Sequence, residues 1–379
     1  MKGKQGMVCM GLLLVLSSCS CHTGKQITAS GLQRKDFQTE VNGQHTDLFT
    51  LSNKQGMEVC ITNYGARVVS ILVPDRNGKR EDVVCGFSTI TEYMEQRQNF
   101  GSTVGRYIGR ILNARFTLDG VEYKLVPNNG KSGHISHGGN PGFADRIWKV
   151  EQADTHRVRL SYLSPDGENG FPGNLKVTLV YSLGEDDNAL DLTYEATTDA
   201  PTVLNLSHHS FFNISGNFTK SVEDQQLWVD ADRFTPYDDK KCVTGEYLQV
   251  AGTPLDFRMP HAIGECIDAD HPQLKVVNGY DHTWELNTKG DDTRPAAWVY
   301  DPVSGRKMEI FTTEPGMQIY TGNGLKGKMT GKGGMAYPFR SAVCFETMHF
   351  QDSPNQPGFP STVLRPGEVF RSHTVYKFE

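Results

Sequence analysis

Apolar and polar residues alternate at period two through much of the chain. Val158, Leu160 and Tyr162 are separated by charged or small residues, and the same spacing recurs in residues 175–181 and 190–194. Successive side chains of an extended strand point to opposite faces, so this spacing gives each segment one apolar face and one polar face. The alternation therefore predicts several half-buried β-strands.

A hairpin signal and a scarcity of helical patterns narrow the fold class. Apolar residues in 116–125 flank Asp119-Gly120, a pair typical of two-residue hairpin turns. Amphipathic helical patterns are scarce, with a short one at residues 89–97, and the sequence has no βαβ rhythm, no fixed-period repeat and no glycine-rich phosphate loop. The chain is therefore predicted to be all-β, a large antiparallel β-sandwich with few short helices.

Composition and charge exclude some functions. The chain of 379 residues is long enough to bury a sizeable core. Its formal net charge of −6 gives no electrostatic basis for binding nucleic acid. The cysteines beyond residue 21 are odd in number and irregular in spacing, so they predict no disulfide framework or metal motif and are interpreted as small buried hydrophobes. They are Cys60, Cys85, Cys242, Cys266 and Cys344.

The first residues have the features of a bacterial export signal. Lys2 and Lys4 supply a positive start, and the apolar stretch 7–16 is too short to span a bilayer as a permanent helix. The following Leu16-Ser17-Ser18-Cys19 resembles the lipobox of bacterial lipoproteins. That resemblance implies a signal peptide at residues 1–18 and a lipid on Cys19, with Cys21 as a second candidate and an ordinary cleaved signal as the alternative.

Residues 19–31 are predicted to be a polar tether, followed by a single domain over residues 32–379. Acyl chains on the anchoring cysteine would hold the protein on a membrane surface by burying methylenes, at about 0.8 kcal/mol each. We therefore expect a lipid-anchored protein of the bacterial cell envelope. Since no acidic cluster follows Cys19, the periplasm-facing orientation is favoured.

Residues 205–213, Asn-Leu-Ser-His-His-Ser-Phe-Phe-Asn, are densely polar for a strand between apolar residues. An unpartnered buried polar group costs about 1–3 kcal/mol, so this stretch is expected to line a wet pocket or a ligand. Histidine is the side chain best suited to move protons near neutral pH. Because His208 and His209 are adjacent, only one of them can face the pocket. An exposed or structurally bonded histidine is the alternative.

A second polar group interrupts an apolar run at Cys344-Phe345-Glu346-Thr347. Burial would raise the pKa of Glu346 and make its carboxylate a stronger base. The alternative is a buried salt bridge. If Glu346 and a histidine of 205–213 share one cleft, the pair indicates acid–base chemistry.

Further polar residues are candidates for binding. Arg106 and Arg110 lie among glycines, and the fork of donors on a guanidinium suits hydroxyl and carboxylate oxygens. The alternative is that one of these arginines lies on the surface and the other forms a structural ion pair. His134 and His137 are three positions apart, which in a strand points them to opposite faces, so a pocket role for His137 is favoured over a metal pair. Asp281 follows a glycine and either binds hydroxyls or caps a turn.

Taken in order, these segments resemble the aldose 1-epimerase (galactose mutarotase) family from about Leu51 to Phe378. Each motif is weak alone, but the ordered set is specific. The motifs are Asn63-Tyr64-Gly65-Ala66, Val73-Pro74-Asp75-Arg76, Gly105-Arg106-Tyr107, Arg110-Ile111, His137-Gly138-Gly139, Gly142-Phe143, Trp148, Gly170-Phe171-Pro172-Gly173, residues 205–213, residues 252–258, Asp281-His282, Tyr320-Thr321-Gly322-Asn323, Glu346-Thr347 and Phe359-Pro360-Ser361.

The resemblance implies a galactose mutarotase-like supersandwich with an open cleft for a free sugar. It assigns the acid role to His209, the base role to Glu346 and sugar binding to Arg110, His137 and Asp281. We add Asn205 to the expected binding residues because of its amide. The sequence departs from the family pattern at four positions: Gly109 and His208 stand where asparagine is usual, Ser136 where leucine is usual and Met348 where glutamine is usual. These departures concern sugar preference more than reaction type.

The implied reaction interconverts the α and β anomers of free hexoses such as galactose and glucose. Opening the hemiacetal ring requires removal of a proton from the C1 hydroxyl and delivery of one to the ring oxygen, and each well-placed partner contributes about 10²–10⁴ in rate. We expect no cofactor and no metal, and a monomer. Two alternatives stay open. One is a membrane-tethered carbohydrate-binding module, and the other is a glycoside hydrolase using Asp281 and Glu346 as its carboxylates.

Overall fold

The computed structural model describes residues 26–379, and its strands are numbered here in chain order. The first fifteen are β1 Glu40–Val41, β2 Gln44–His45, β3 Leu48–Ser52, β4 Glu58–Thr62, β5 Arg67–Pro74, β6 Arg80–Asp82, β7 Ser102–Val104, β8 Arg110–Ile111, β9 Arg115–Leu118, β10 Val121–Lys124, β11 Ile135–Ser136, β12 Lys149–Ala153, β13 Arg157–Ser164, β14 Leu175–Leu183 and β15 Ala189–Thr198. The others are β16 Thr202–Val203, β17 Ser207–His209, β18 Phe211–Phe212, β19 Gln226–Val229, β20 Arg233–Thr235, β21 Leu248–Gln249, β22 His261–Ala262, β23 Asp281–Glu285, β24 Ala297–Tyr300, β25 Lys307–Thr312, β26 Gly316–Tyr320, β27 Val343–Met348, β28 Val363–Leu364 and β29 Phe370–Phe378.

Three larger antiparallel sheets dominate this region. The first has nine strands in the order β12-β13-β14-β15-β29-β25-β24-β19-β22. The second has six strands, β18-β27-β26-β23-β20-β21, and the third has four, β3-β4-β5-β6. Short pairs join β1 to β2, β7 to β17, β8 to β11, β9 to β10 and β16 to β28. The predicted all-β, antiparallel class is confirmed.

Period-two alternation produces the expected strands. Val158 and Leu160 of β13 are fully buried, and Tyr162 packs partly buried against the same core. The hairpin between β9 and β10 turns at Asp119-Gly120, where both residues have positive φ, 52° and 80°. Two successive positive φ values are what a type I′ turn requires, so local sequence determines this register.

Helices are short among residues 26–379. The helix α1 spans Ile90–Gln96 and begins at Thr89, whose hydroxyl accepts a hydrogen bond from the Glu92 amide while Glu92 bonds back to the cap, forming a capping box. The helix α2 spans Pro272–Val277, and the remaining helical turns are 3₁₀. None of these described helices is long and apolar enough to cross a membrane.

The six-stranded and nine-stranded sheets pack face to face through the main core cluster. Tyr376 of β29 donates a hydrogen bond from its hydroxyl to the Phe345 carbonyl of β27, at 3.0 Å. The hydroxyl oxygens of Thr347 and Thr374 are 2.7 Å apart across the same interface. Phe345 and Thr347 therefore point toward the nine-stranded sheet. Their neighbours in β27, Glu346 among them, point to the opposite face.

The predicted signal peptide 1–18, Cys19, Cys21 and the tether up to residue 25 lie outside the described residues. The remaining part of the predicted tether, residues 26–31, lies against the domain. Its Ala29 amide donates to the Glu58 carboxylate at 2.6 Å, and Thr28 is buried.

The prediction of small buried cysteines is correct for three positions and wrong for two. Cys60, Cys85 and Cys344 are buried, whereas Cys242 and Cys266 are partly exposed because they lie in connections rather than strands. The described cysteines are all free thiols.

Candidate active site

A cavity of about 250 Å³ opens at the face of β27 that points away from the nine-stranded sheet. Polar side chains from widely separated segments converge on it, as the sequence predicts. Five of the six predicted catalytic and binding residues line this cavity: Arg110, His137, His209, Asp281 and Glu346.

Strand alternation places Glu346 in the cavity. Within β27, positions 344, 346 and 348 share the face opposite Phe345 and Thr347. Both Glu346 and Met348 line the cavity. Glu346 is 3% exposed, so its carboxyl meets little water beyond the cavity itself.

The adjacent histidines point to opposite sides of β17, as expected for a strand. His209 lines the cavity and stacks on Phe211, with ring centroids 5.0 Å apart and planes 8° from parallel. His208 faces the core, where its Nε2 lies 2.6 Å from the Ser210 hydroxyl and its Nδ1 lies 3.5 Å from the Tyr181 hydroxyl. Only His209 is therefore available to a ligand.

His209 and Glu346 form a direct pair, with Nε2 and Oε1 3.5 Å apart and both side chains almost fully buried. Burial lowers the pKa of His209 well below its ordinary value, and nearby histidines and Arg67 add to the effect. Burial raises the pKa of Glu346 well above its ordinary value, reinforced by the charge of Asp281. Both shifts favour the uncharged forms, an imidazole beside a carboxyl.

Asp281 lies at the start of β23 and is held by a glutamine that the sequence analysis did not identify. The Gln318 amide donates to the Asp281 carboxylate at 2.6 Å, and the Thr283 hydroxyl donates to the Gln318 carbonyl oxygen at 2.5 Å. Gln318 also lines the cavity. Its signal was available, because Gln318 and Tyr320 alternate with apolar residues in β26 and share the cavity face.

His137 follows β11 in a left-handed conformation, with φ 51°. The next residue must be glycine, since a Cβ at Gly138 would overlap the Gly105 carbonyl. The Gly109 amide points its hydrogen at His137 Nδ1, 3.4 Å away, which leaves the proton of the neutral ring on Nε2. Burial, with the charge of Arg110, lowers the pKa of His137 to about 4. His137 is therefore a neutral donor rather than a second acid.

The sequence model for aldose 1-epimerase matches residues 47–377. The chain belongs to the aldose 1-epimerase family. It is accordingly an isomerase.

Individual relatives of this aldose 1-epimerase agree over nearly the whole domain. Galactose mutarotase of Bos taurus is 40% identical over 331 residues, covering 87% of this chain and 93% of that protein. Aldose 1-epimerase of Escherichia coli is 36% identical over 339 residues, covering 89% and 96%. The solved aldose epimerase homologue of C. elegans matches with a TM-score of 0.81 at 31% identity, covering 88% of this chain and 99% of that one. These relatives give no support to the binding-module or glycoside-hydrolase alternatives.

One departure from the family pattern has a structural explanation. Gly109 stands where the family usually has asparagine, and its φ is 75°. A Cβ at this position would lie 2.5 Å from Cγ of Gln351. Gln351 therefore occupies the space that a larger residue 109 would need, and its amide donates to the Tyr237 hydroxyl at 2.7 Å. Gln351 lines the cavity of this aldose 1-epimerase and was missed from the sequence.

The structure does not bring Asn205, the sixth predicted site residue, to the cavity. Asn205 is fully buried and does not line the cavity. Its amide donates to the His349 carbonyl and accepts from the His349 amide, both at 3.0 Å. Both halves of the side chain are thus used to hold the backbone just beyond β27. Asn205 therefore positions that backbone.

Two other polar candidates also have structural roles. The Arg106 guanidinium is buried and donates to the carbonyls of Pro172 and Gly173, at 2.7 and 3.0 Å. His134 accepts a hydrogen bond from the Asn113 amide at 2.9 Å and does not line the cavity. Arg106 therefore has a structural role, but through hydrogen bonds to carbonyls and not as the surface arginine or ion pair of the sequence-based alternative.

Proposed function

We propose that this aldose 1-epimerase interconverts the α and β anomers of free hexoses such as galactose and glucose, with Glu346 as the base and His209 as the acid. One observation carries the proposal, the 3.5 Å separation of His209 Nε2 and Glu346 Oε1 inside the cavity. The C1 hydroxyl and the ring oxygen of a hemiacetal are bonded to the same carbon. An acid and a base that serve both oxygens at once must therefore lie close together.

The charge state of the pair is compatible with these roles. A neutral imidazole beside a carboxylic acid becomes imidazolium and carboxylate by transfer of one proton, so the pair stays neutral overall. The buried cavity then avoids the large cost of an uncompensated charge. A sugar further stabilises the ion pair, because its C1 hydroxyl donates to the carboxylate and its ring oxygen accepts from the imidazolium.

Ring opening and closure follow from this arrangement. The Glu346 carboxylate takes the proton of the C1 hydroxyl, the bond between C1 and the ring oxygen breaks, and His209 protonates the departing oxygen. Rotation about the C1–C2 bond turns the other aldehyde face to the C5 hydroxyl. Closure with reversed proton roles then gives the other anomer.

We assign Arg110, His137 and Asp281 to holding the open-chain sugar. His137 offers an N–H donor and Arg110 a charged donor fork, while Asp281 offers a carboxylate braced by Gln318. These complementary donors and acceptors suit hydroxyl groups, which both donate and accept.

Polarimetry tests the proposed reaction. Freshly dissolved α-galactose or α-glucose should reach its equilibrium rotation faster with enzyme than without it, and by an amount proportional to enzyme concentration. A boiled sample controls for buffer catalysis. An unaccelerated approach to equilibrium with every hexose tried would refute the proposal.

We also propose that the enzyme is a monomer held in the cell envelope by a lipid on Cys19, facing the periplasm. The lipobox-like Leu16-Ser17-Ser18-Cys19 supports the anchor. Growth with labelled fatty acid should label the wild type and the Cys21→Ser variant but not Cys19→Ser. Label retained by Cys19→Ser would refute the assignment. Protease added to intact cells and to spheroplasts tests the orientation, and sedimentation velocity tests the monomer.

A further inference from the structure

A third ligand-type side chain lies behind the proposed acid–base pair and is not used by the mechanism above. The Cys344 sulfur, a His209 ring nitrogen and a Glu346 carboxylate oxygen all lie within 4.8 Å of one another, and all three residues are buried. Cys344 precedes Glu346 by two residues in β27, so strand alternation places both on the same face. The grouping is thus built into a central strand rather than into a loop.

Thiolate, imidazole and carboxylate together are a donor set suited to zinc. Tetrahedral bonds of about 2.0–2.3 Å put the ligand atoms of a zinc ion roughly 3.3–3.8 Å apart. The His209 Nε2 to Glu346 Oε1 distance of 3.5 Å already lies in this range. The Cys344 sulfur lies within 4.8 Å of both other ligand atoms, so it needs to approach them by about 1.0–1.5 Å at most to reach this range.

Charge and access favour the same ion. One thiolate and one carboxylate neutralise a divalent cation, so the buried site carries no net charge when filled. His209 and Glu346 line the open cavity, whereas Cys344 lies beneath them. An entering ion therefore meets the pair first and keeps its fourth position toward the cavity.

We propose that Cys344, His209 and Glu346 form a binding site for Zn²⁺ and similar thiophilic divalent ions, whose occupation reversibly inhibits the enzyme. A bound ion takes the lone pairs with which the acid and the base exchange protons, so it blocks ring opening and competes with sugar. The inhibition and the competition rest on the proposed function, whereas metal binding itself does not.

The experiment compares full-length wild type with Cys344→Ala and with a matched control, Cys85→Ala. Cys85 is a buried thiol of the same hydrophobic cluster but is not among the three ligands. Cadmium serves as the probe because its bonds to thiolate produce a charge-transfer absorption band. Wild type and Cys85→Ala should each bind one cadmium ion more than Cys344→Ala, and galactose should displace that ion.

Inhibition by Zn²⁺ is measured by polarimetry in the same proteins, with reversal by a chelator. Cys344→Ala should keep its basal rate and need at least about tenfold more Zn²⁺ for half inhibition, since loss of an outer-shell partner alone costs 10–100-fold in affinity. Should Cys344→Ala fail to fold, Cys344→Ser keeps the side-chain volume while replacing the sulfur.

The outcomes separate the metal site from the proposed function. Equal cadmium binding and equal Zn²⁺ sensitivity in wild type and the Cys344 variants would overturn the site. A cadmium band lost with Cys344 in a protein without mutarotase activity would support the site and refute the proposed reaction. Loss of the band in Cys85→Ala but not in the Cys344 variants would also overturn the assignment.

Discussion

The proposed acid and base should behave as a unit, and a double-mutant cycle on Glu346→Gln and His209→Gln tests this. Each single change removes one proton-transfer group and should lower kcat about 10²–10⁴-fold. At 1.36 kcal/mol for each factor of ten, this is about 2.7–5.4 kcal/mol of transition-state stabilisation. Independent groups would multiply to about 10⁴–10⁸-fold in the double variant.

The 3.5 Å contact predicts a different result. Because the proton leaving the C1 hydroxyl and the proton reaching the ring oxygen belong to one step, a site that has lost either group has lost the coupled transfer. The double variant should therefore be about as slow as the slower single variant, as for other catalytic groups that act together.

The assay is polarimetry over a range of α-galactose concentrations, with circular dichroism to check folding and calorimetry to check sugar binding. Glu314→Gln is a matched control. Glu314 is also a buried glutamate paired with a histidine, His349, at 2.7 Å, but it lies outside the cavity. This control should retain kcat. Fully multiplicative losses in the double variant, or an equal loss in Glu314→Gln, would refute the reasoning.

Three further predictions follow from the described geometry. Burial lowers the pKa of the proposed acid and raises that of the proposed base, so the pair holds one transferable proton over a wide pH range. We therefore expect kcat/KM to be flat from about 4.3 to beyond 6.5, and to fall in stronger acid as His137, with its pKa of about 4, becomes charged. A narrow optimum within this range would contradict the prediction. Gly109→Ala should destabilise the fold by about 2–3 kcal/mol in urea unfolding, from the left-handed backbone plus displacement of the Gln351 hydrogen bond. The control Gly120→Ala, with φ 80° and open space around its Cβ, should cost only the backbone part, and equal losses would exclude the clash. His373 bonds Asp191 and a second aspartate, which raises its pKa to about 9. The contribution of the His373 ion pairs to stability is therefore complete below the unfolded-state pKa of about 6.5 and disappears as the pH rises through 9. His373→Ala should accordingly lower Tm in acid but not in strong alkali. A loss of Tm that does not depend on pH would contradict this prediction.

The fold class could be predicted because its signals are local. Alternation in β13, the Asp119-Gly120 turn and the capped helix at Thr89 each depend on a few neighbouring residues. The order of strands in the sheets could not be predicted in this way. The pairing of β29 with both β15 and β25 joins segments that are far apart in the chain, and no periodic pattern encodes such partners.

The site was predictable to the extent that side chains alternate along single strands. Because His208 and His209 are adjacent in a strand, only one of them could face the pocket. The apolar run around Glu346 indicated that its carboxyl is buried. The structural role of Asn205 could not be predicted, because its amide partner, the His349 backbone, is 144 positions away. Gln318 was missed because one glutamine in a strand looks like any half-exposed polar residue until its neighbours across the sheet are known.

The position of β29 has a consequence for how the protein is made. This final strand inserts between β15 and β25 and joins the two halves of the nine-stranded sheet. During translation the two halves cannot join through β29 until residues 370–378 have left the ribosome, so the sheet that packs behind β27 is completed after the strands on either side of β29.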